Sequence, residues 1–195
     1  FRFDGDKHEV GLGGFIQPAW ALEVRGSDSP EQFLRVRGAY LNLHGEFFDE
    51  TVTFFFQTDF ARDEPLLDAW LGYNPFSWLS LALGQKLTPT NNREQMHMES
   101  HLGFIDRSLL SRTFSESGRE LGAYVGGEID IAGILIRPQL AVTSGDGRNS
   151  FGVDSRDRDV GGLKWGGRLD VLPFGDFAEG NRRTVPDLGR EQRFK

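Results

Sequence analysis

Hydrophobic and polar residues alternate with a period of two along most of the chain. Leu79, Leu81 and Leu83, for example, alternate with Ser80 and Ala82. This period is typical of a β-strand with one apolar and one polar face. The pattern recurs at residues 12–23, 33–44, 51–60, 67–74, 79–86, 120–128, 134–143 and 163–171. The sequence therefore predicts an all-β, antiparallel, up-and-down protein with about eight strands of about ten residues each.

The alternation is interrupted in the second of these segments, at residues 33–44. Arg35 and Arg37 share their parity with Leu41 and Leu43, so that two charged residues fall on the otherwise apolar face. The sequence therefore predicts a β-bulge or a change of register in this strand.

The apolar face of each predicted strand could point either inward to a core or outward to lipid. A soluble β-sandwich turns that face inward, whereas a transmembrane β-barrel turns it outward to lipid. Charged residues in the middle of the polar faces and aromatic residues near the strand ends favour the barrel, and the soluble sandwich remains as an alternative. The charged residues are Asp68, Arg137, Lys164 and Arg168, and the aromatic residues are Trp20, Phe60, Tyr73, Phe76, Trp78, Phe174 and Phe177.

The connections between strands alternate in length. The second, fourth and sixth are short, at residues 46–50, 74–76 and 130–133, whereas the fifth (88–118) and seventh (144–160) are long. In an up-and-down barrel alternate connections lie at the same rim, so both long loops fall on one side. Short turns on one side and long loops on the other are typical of bacterial outer-membrane barrels.

Composition narrows the class of protein further. The chain of 195 residues contains 25 glycines and 17 phenylalanines but no cysteine, and its mean hydropathy is −0.41. Disulfides, thiolate metal sites and cysteine nucleophiles are therefore excluded within it. A net charge of −7 argues against nucleic acid as a partner. We expect a single domain over residues 1–195. We also expect the chain to be processed or partial, because it begins with Phe1 and has only half the strands of a large barrel.

Three short motifs carry a resemblance to a known family. They are residues 56–61 (FQTDFA), 67–71 (LDAWL) and 83–86 (LGQK), the last of which is followed by Pro89. In this order they resemble the phosphate-selective porin O and P family. The similarity extends over most of residues 10–175, although Lys86 follows Gln85 directly where the family often has an aromatic residue first.

The resemblance implies an outer-membrane porin. Members of the family are homotrimers of barrels with about sixteen strands, in which the third external loop folds into the lumen as a constriction. Residues 88–118 would be that loop, and the chain would be the N-terminal half of the barrel. The expected activity is passive diffusion of small polar or anionic solutes, phosphate included, through the bacterial outer membrane.

Seven charged residues are predicted to line the pore. Basic residues would attract anions, whereas acidic residues on the same faces would neutralise them through cross-strand pairs. We favour the mixed, paired arrangement, in which Asp170 also takes part. The seven residues are Lys86, Arg137, Lys164, Arg168, Asp59, Asp68 and Glu128.

The predicted constriction loop has its own candidates. Arg93, Arg107 and Arg112 are the residues in it that would determine selectivity. A helix there would also place Glu94, His97 and His101 on one face, as in some metal sites. We favour a polar loop without a metal, because Met98 occupies the position at which the zinc-protease motif has Glu.

The second long loop, at residues 144–160, is acidic. It contains four aspartates interleaved with arginines, at a spacing that does not fit the twelve-residue calcium loop. We therefore expect a solvated external loop, with contact to lipopolysaccharide or a partner as an alternative. The aspartates are Asp146, Asp154, Asp157 and Asp159.

The sequence contains no convincing catalytic constellation, so that we expect neither an enzyme nor a cofactor. The expected partners are small solutes or anions, outer-membrane lipid and lipopolysaccharide, and further copies of the chain. One alternative is a structural barrel around another chain, since half a barrel has two unpaired edges. Another is a soluble β-sandwich that binds a ligand.

Overall fold

The computed structural model describes residues 2–5, 8–24, 29–89, 118–145, 147–148 and 162–173. Ten β-strands lie in these ranges, and within them no residue is helical. The strands are β1 (Arg2–Gly5), β2 (His8–Glu23), β3 (Glu31–Phe47), β4 (Val52–Asp59), β5 (Leu66–Phe76), β6 (Leu79–Leu87), β7 (Arg119–Gly127), β8 (Ile129–Ile131), β9 (Ile134–Thr143) and β10 (Lys164–Leu172). In the described part of the chain, no helix is long and apolar enough to cross a membrane.

All ten strands belong to one antiparallel, up-and-down sheet. Nine of them follow one another in the order β1-β2-β3-β4-β5-β6-β7-β9-β10, and β8 pairs with β9. The predicted all-β class and the up-and-down order are thereby confirmed. Among the described residues, β10 pairs only with β9, and residues 12–23 of β2 pair only with β3. The sheet is therefore open, with two edges that do not pair with each other.

Two short strands were missed in the sequence, and two others are longer than predicted. β1 and β8 lie outside the eight predicted segments, while β2 and β3 have 16 and 17 residues. Strand β8 is separate because the ladder between β7 and β9 is interrupted beside Pro138, and a Cβ at Gly127 would lie 3.2 Å from its ring. Proline has no N–H to donate to a ladder.

Two of the three short turns overlap their predicted ranges, and the turn between β5 and β6 lies directly after its predicted range. The three turns occupy residues 48–51, 77–78 and 132–133. Asn74 and Pro75 had predicted a turn, yet they lie within β5, where the register with β6 shifts between Tyr73 and Phe76. All three turns lie at one end of the sheet, the turn end. The connections at 24–30, 60–65, 88–118 and 144–163 begin and finish at the opposite end, the loop end.

The predicted irregularity in β3 is present. Gln17 pairs with Gly38 whereas Pro18 pairs with Val36, which leaves Arg37 as an extra residue in β3. Beyond this bulge the parity of the strand is reversed, so Arg35 pairs with Ala19 on the polar side of the sheet. Pro18 is tolerated because β2 has no partner on its other side at this position in the described residues.

The two faces of the sheet have the reverse of the usual exposure. On the apolar face Leu140 is 62% exposed and Trp165 is 74% exposed. On the polar face the side chain of Gln57 is fully buried, and Asp68 is only 4% exposed. A soluble protein normally buries its large apolar side chains and exposes its charges. In the described residues the only buried hydrophobic cluster is small, and consists of Ala82, Tyr124 and Ala141 with Trp70 packed against it.

Glycine makes room for aromatic side chains that lie along the polar face. The ring of Tyr40 occupies the place where a Cβ at Gly38 would be. Tyr40 also stacks on Phe15 of the neighbouring strand, with 4.4 Å between ring centroids. A larger residue at position 38 would collide with the ring of Tyr40 and displace this stack. The close contact between the ring and the backbone therefore requires glycine there.

Candidate functional site

Two clusters of charged residues lie on the polar face, one towards each end of the sheet. The loop-end cluster contains Asp68, Lys86, Arg119, Glu120, Thr143 and Lys164. The turn-end cluster contains Glu128, Arg137, Arg168 and Asp170. The antiparallel register brings these residues together from β5, β6, β7, β9 and β10 and the residue that follows β7.

Asp68 and Arg119 form the most deeply buried ion pair of the loop-end cluster. The guanidinium Nε of Arg119 donates to Oδ2 of Asp68 at 2.9 Å, and both side chains are almost entirely buried. Asp68 lies near the start of β5, and Arg119 is the first residue of β7. Burial of either charge alone would be costly, so the pair is stable only while both partners are present.

Glu120 connects three strands in the same cluster. Its Oε1 accepts a hydrogen bond from Nζ of Lys164 at 2.7 Å, and its Oε2 accepts one from the hydroxyl of Thr143. The carboxylate is nearly buried, whereas the side chain of Lys164 is about half exposed. One carboxylate therefore binds β7 to β9 and β10, and its charge is compensated by the lysine.

Lys86 lies over two aromatic rings, and its charge also interacts with the carboxylate of Asp68. Its Nζ lies 4.7 Å from the ring centroid of Trp70 and 5.4 Å from that of Tyr124, distances within the range of cation–π contacts. The hydroxyl of Tyr124 donates to the backbone carbonyl of Glu120 at 2.5 Å, which fixes one of the two rings. Trp70 packs against Phe55, with 6.0 Å between ring centroids.

The turn-end cluster consists of two further ion pairs. Nε of Arg137 lies 2.8 Å from Oε2 of Glu128, and Nε of Arg168 lies 2.8 Å from Oδ1 and 2.9 Å from Oδ2 of Asp170. Arg137 and Asp170 are direct partners in the ladder between β9 and β10. Glu128, Arg137 and Asp170 therefore alternate in charge across the sheet, and Arg168 lies two residues from Asp170 along β10.

A cavity of about 1200 Å³ lies over this part of the polar face. Its lining includes Trp70, Lys86, Tyr124, Arg137 and Arg168. Residues of both clusters and of the intervening aromatic group therefore border the same space.

Asp59 has a different position from the other predicted pore residues. Its carboxylate is fully buried at the end of β4, where Oδ1 accepts from the backbone N–H groups of Ala39 and Ala61 at 2.9 and 3.1 Å. Its Oδ2 accepts from Nε of Arg62 at 2.8 Å. Asp59 thus anchors the connection between β4 and β5 to the adjacent strand β3. Its negative charge is balanced by Arg62 of the same connection.

The structure brings six of the seven predicted pore residues onto the two clusters, with Asp59 apart. Arg137 forms an ion pair with Glu128, and Arg168 forms one with Asp170 of the same strand. Asp68 and Lys164 pair instead with Arg119 and Glu120, which were not among the candidates. Alternation had placed Glu120 on the polar face, but no local signal marked Arg119.

The candidates in the two long loops fall outside the described residues. This holds for Arg93, Arg107 and Arg112, for Glu94, His97 and His101, and for Asp146, Asp154, Asp157 and Asp159. At the ends of the 88–118 connection, the N–H of Thr88 donates to the carbonyl of Gly118 at 2.9 Å. From the 144–163 connection, Arg148 reaches Glu64, with 3.6 Å between its guanidinium and the carboxylate.

Comparison with known proteins does not identify a family for this chain. The sequence matches no protein-family model, and no curated protein is significantly similar to it.

Proposed function

We propose that this chain forms part of the wall of a bacterial outer-membrane porin, through which small polar and anionic solutes diffuse passively. The observation that carries the proposal is the exposure of the two faces. Leucines and tryptophans cover the exposed face, whereas carboxylates, guanidinium groups and amides crowd the other. Such a sheet is suited to lipid on one side and a wet lumen on the other.

The ends of the sheet support the same proposal. The three tight turns lie together at the turn end, and the connections of residues 88–118 and 144–163 both start from the loop end. Phe76, the last residue of β5, and Trp78, in the tight turn that follows, form an exposed stacked pair with 5.5 Å between ring centroids. Aromatic residues at this height of a barrel usually lie at the membrane–water interface.

The open sheet fits a part of a larger barrel. Nine consecutive strands with two free edges cannot close by themselves in the described residues, and unpaired edges are normally covered in a stable protein. Further strands would complete a barrel of about sixteen strands, the size of a channel-forming porin. Assembly into a homotrimer and passage of anions, phosphate included, are part of the proposal by resemblance to the phosphate-selective porin O and P family.

Lys86 is the residue of the described wall best placed to attract an anion. Its ammonium borders the cavity and lies over the rings of Trp70 and Tyr124. The ammonium of Lys164 and the guanidinium groups of the ion pairs contribute less, because each is in direct contact with a carboxylate.

Reconstitution of the intact protein into planar lipid bilayers tests the proposal. We expect discrete conductance steps that are absent with detergent alone and with heat-denatured protein. A folded protein that inserts into the bilayer but gives no steps would contradict the porin function.

The open edges also favour a second candidate, a structural barrel around another chain. In that case the protein would insert into the outer membrane and co-purify with a second polypeptide that occupies its lumen. Conductance without such a polypeptide would reject this candidate. Folding in plain buffer without detergent would instead support a soluble ligand-binding sheet.

A further inference from the structure

Apart from Lys86, the charges of the loop-end and turn-end clusters are held in four ion pairs. Arg119 and Lys164 contact Asp68 and Glu120 at 2.9 and 2.7 Å, at the loop end. At the turn end, Arg137 and Arg168 contact Glu128 and Asp170 at 2.8 Å. Four cations thus face four carboxylates, in a row of dipoles that runs from one end of the face to the other.

A row of closed pairs acts on a solute differently from a row of single charges. The potential of two opposite charges a few ångströms apart cancels at distances beyond their separation, and salt screens what remains. An ion that passes at some distance therefore meets little net field, whatever its sign. A solute that touches the wall meets both signs within one contact.

The turn-end cluster is accessible enough for such a contact. The side chains of Arg168 and Asp170 are each 30% exposed, and that of Glu128 is 45% exposed. Arg137, Arg168, Glu128 and Asp170 all border the cavity of about 1200 Å³. Cross-strand pairing of Arg137 with Asp170 places the two ion pairs beside each other.

From this arrangement we infer that the pore favours net-neutral, dipolar solutes, the class to which free amino acids belong, over small ions of either sign. The inference rests on the proposed porin function and deepens it. A zwitterion can present its carboxylate to a guanidinium and its ammonium to the adjacent carboxylate, so that both wall charges keep a partner. A simple anion can engage the guanidinium only by competing with the carboxylate already there.

Lys86 adds one positive charge to this wall, and its effect is limited because it lies against Trp70 and Tyr124, away from the turn-end pairs. We therefore expect a modest anion preference superimposed on the preference for dipolar solutes. The ratio of chloride to potassium permeability should lie within about threefold of one, as expected for a wall without a net field.

Uptake by proteoliposomes tests the inference with three probes of similar size. They are glycine as the zwitterion, glycolate as the anion and ethanolammonium as the cation. The intact protein should admit glycine faster than either ion, by about threefold if the paired charges are contacted. Faster entry of glycolate or of ethanolammonium than of glycine would overturn the inference.

Matched variants of the exposed pair make the test specific. Asp170→Asn should shift the permeability ratio towards anions, and Arg168→Gln should shift it towards cations. The double variant should return the ratio to that of the wild type but abolish the preference for glycine. Shifts of both single variants in the same direction would overturn the inference.

A charge exchange and a neutral solute separate the possible failures. Arg168→Asp combined with Asp170→Arg keeps a pair and should retain the preference for glycine; its loss would count against the dipole argument. Absence of uptake of all three probes and of a small neutral sugar would contradict the porin function itself. Uptake of the sugar with preference for one ion would overturn the inference alone.

Discussion

Arg119 and Asp68 are 51 residues apart in the sequence, yet the guanidinium Nε of one lies 2.9 Å from the carboxylate of the other. Both side chains are almost entirely buried on the polar face. The contact joins the start of β5 to the start of β7 across β6. It also follows directly after the 88–118 connection, so that it fixes the point at which the chain re-enters the sheet.

Replacement of Asp68 by Asn should therefore destabilise the protein. A buried guanidinium would lose its charged partner, which typically costs about 3 kcal/mol or more. Urea unfolding of the protein in lipid vesicles would measure the loss, and the double variant Asp68→Asn with Arg119→Gln should recover part of it. Asp63→Asn, in the exposed connection after β4, is the control and should change little. Equal effects at positions 63 and 68 would contradict the role of the pair.

The turn between β3 and β4 contains backbone strain that glycine should relieve. Phe48, Asp49 and Glu50 have φ values of 56°, 55° and 65°, in the left-handed region that residues with a Cβ avoid. We expect Glu50→Gly to raise the free energy of unfolding by about 1 kcal/mol. Thr53→Gly, at a regular strand position, should lower it. A loss of stability in both variants would show that the turn is not strained.

Lys86→Met should reduce the anion preference of the channel. The substitution removes the positive charge that borders the cavity and keeps an unbranched side chain between Trp70 and Tyr124. Reversal potentials in a salt gradient should move towards the cation side, by about twofold in permeability ratio for loss of one wall charge. Lys86→Arg is the control, and should retain the wild-type ratio. An unchanged ratio in Lys86→Met would show that Lys86 does not act on the permeating ion.

The strand pattern was largely predictable from sequence because the period of two is a local property. The slip at Arg35 and Arg37 was visible for the same reason, since an inserted residue reverses the parity of all residues beyond it. Two of the errors lie at prolines. Pro75 had indicated a turn but is accommodated by a shifted register, and Pro138 separates β8 from β7.

The partners of the charged residues were only partly predictable. Arg137 and Glu128 lie on either side of a tight turn, and Arg168 and Asp170 lie on one strand, so their proximity is encoded locally. Arg119 meets Asp68 only because β5, β6 and β7 are neighbours in the sheet. The cation–π contacts of Lys86 depend likewise on the register of three strands, which alternation alone does not determine.

Arginine introduced at two adjacent positions of β9 should differ in its effect on membrane insertion. It should impair insertion at position 140 but not at position 139. Leu140 is exposed on the apolar face, and Gln139 is its neighbour on the polar face. An arginine on the lipid side of a barrel costs about 2 to 4 kcal/mol near the bilayer midplane, whereas the lumen tolerates it. We expect Leu140→Arg to impair folding into vesicles, as measured by heat-modifiable mobility, and Gln139→Arg to fold normally.

The proposed function requires that the apolar face of the sheet contacts lipid and that the polar face contacts water. Because the chain has no cysteine, introduced cysteines report on single positions. Ser80, Gln139 and Arg168 lie in one cross-strand row of the polar face, and Leu81, Val125 and Leu140 lie in the adjacent row of the apolar face.

The most direct measurement is the labelling of these six single-cysteine variants in lipid vesicles. We expect cysteines at 80, 139 and 168 to react with a water-soluble maleimide. A fluorophore attached at 81, 125 or 140 before insertion should instead be quenched by brominated lipid. Reaction with maleimide at 81, 125 and 140, together with lipid quenching at 80, 139 and 168, would contradict the proposed function.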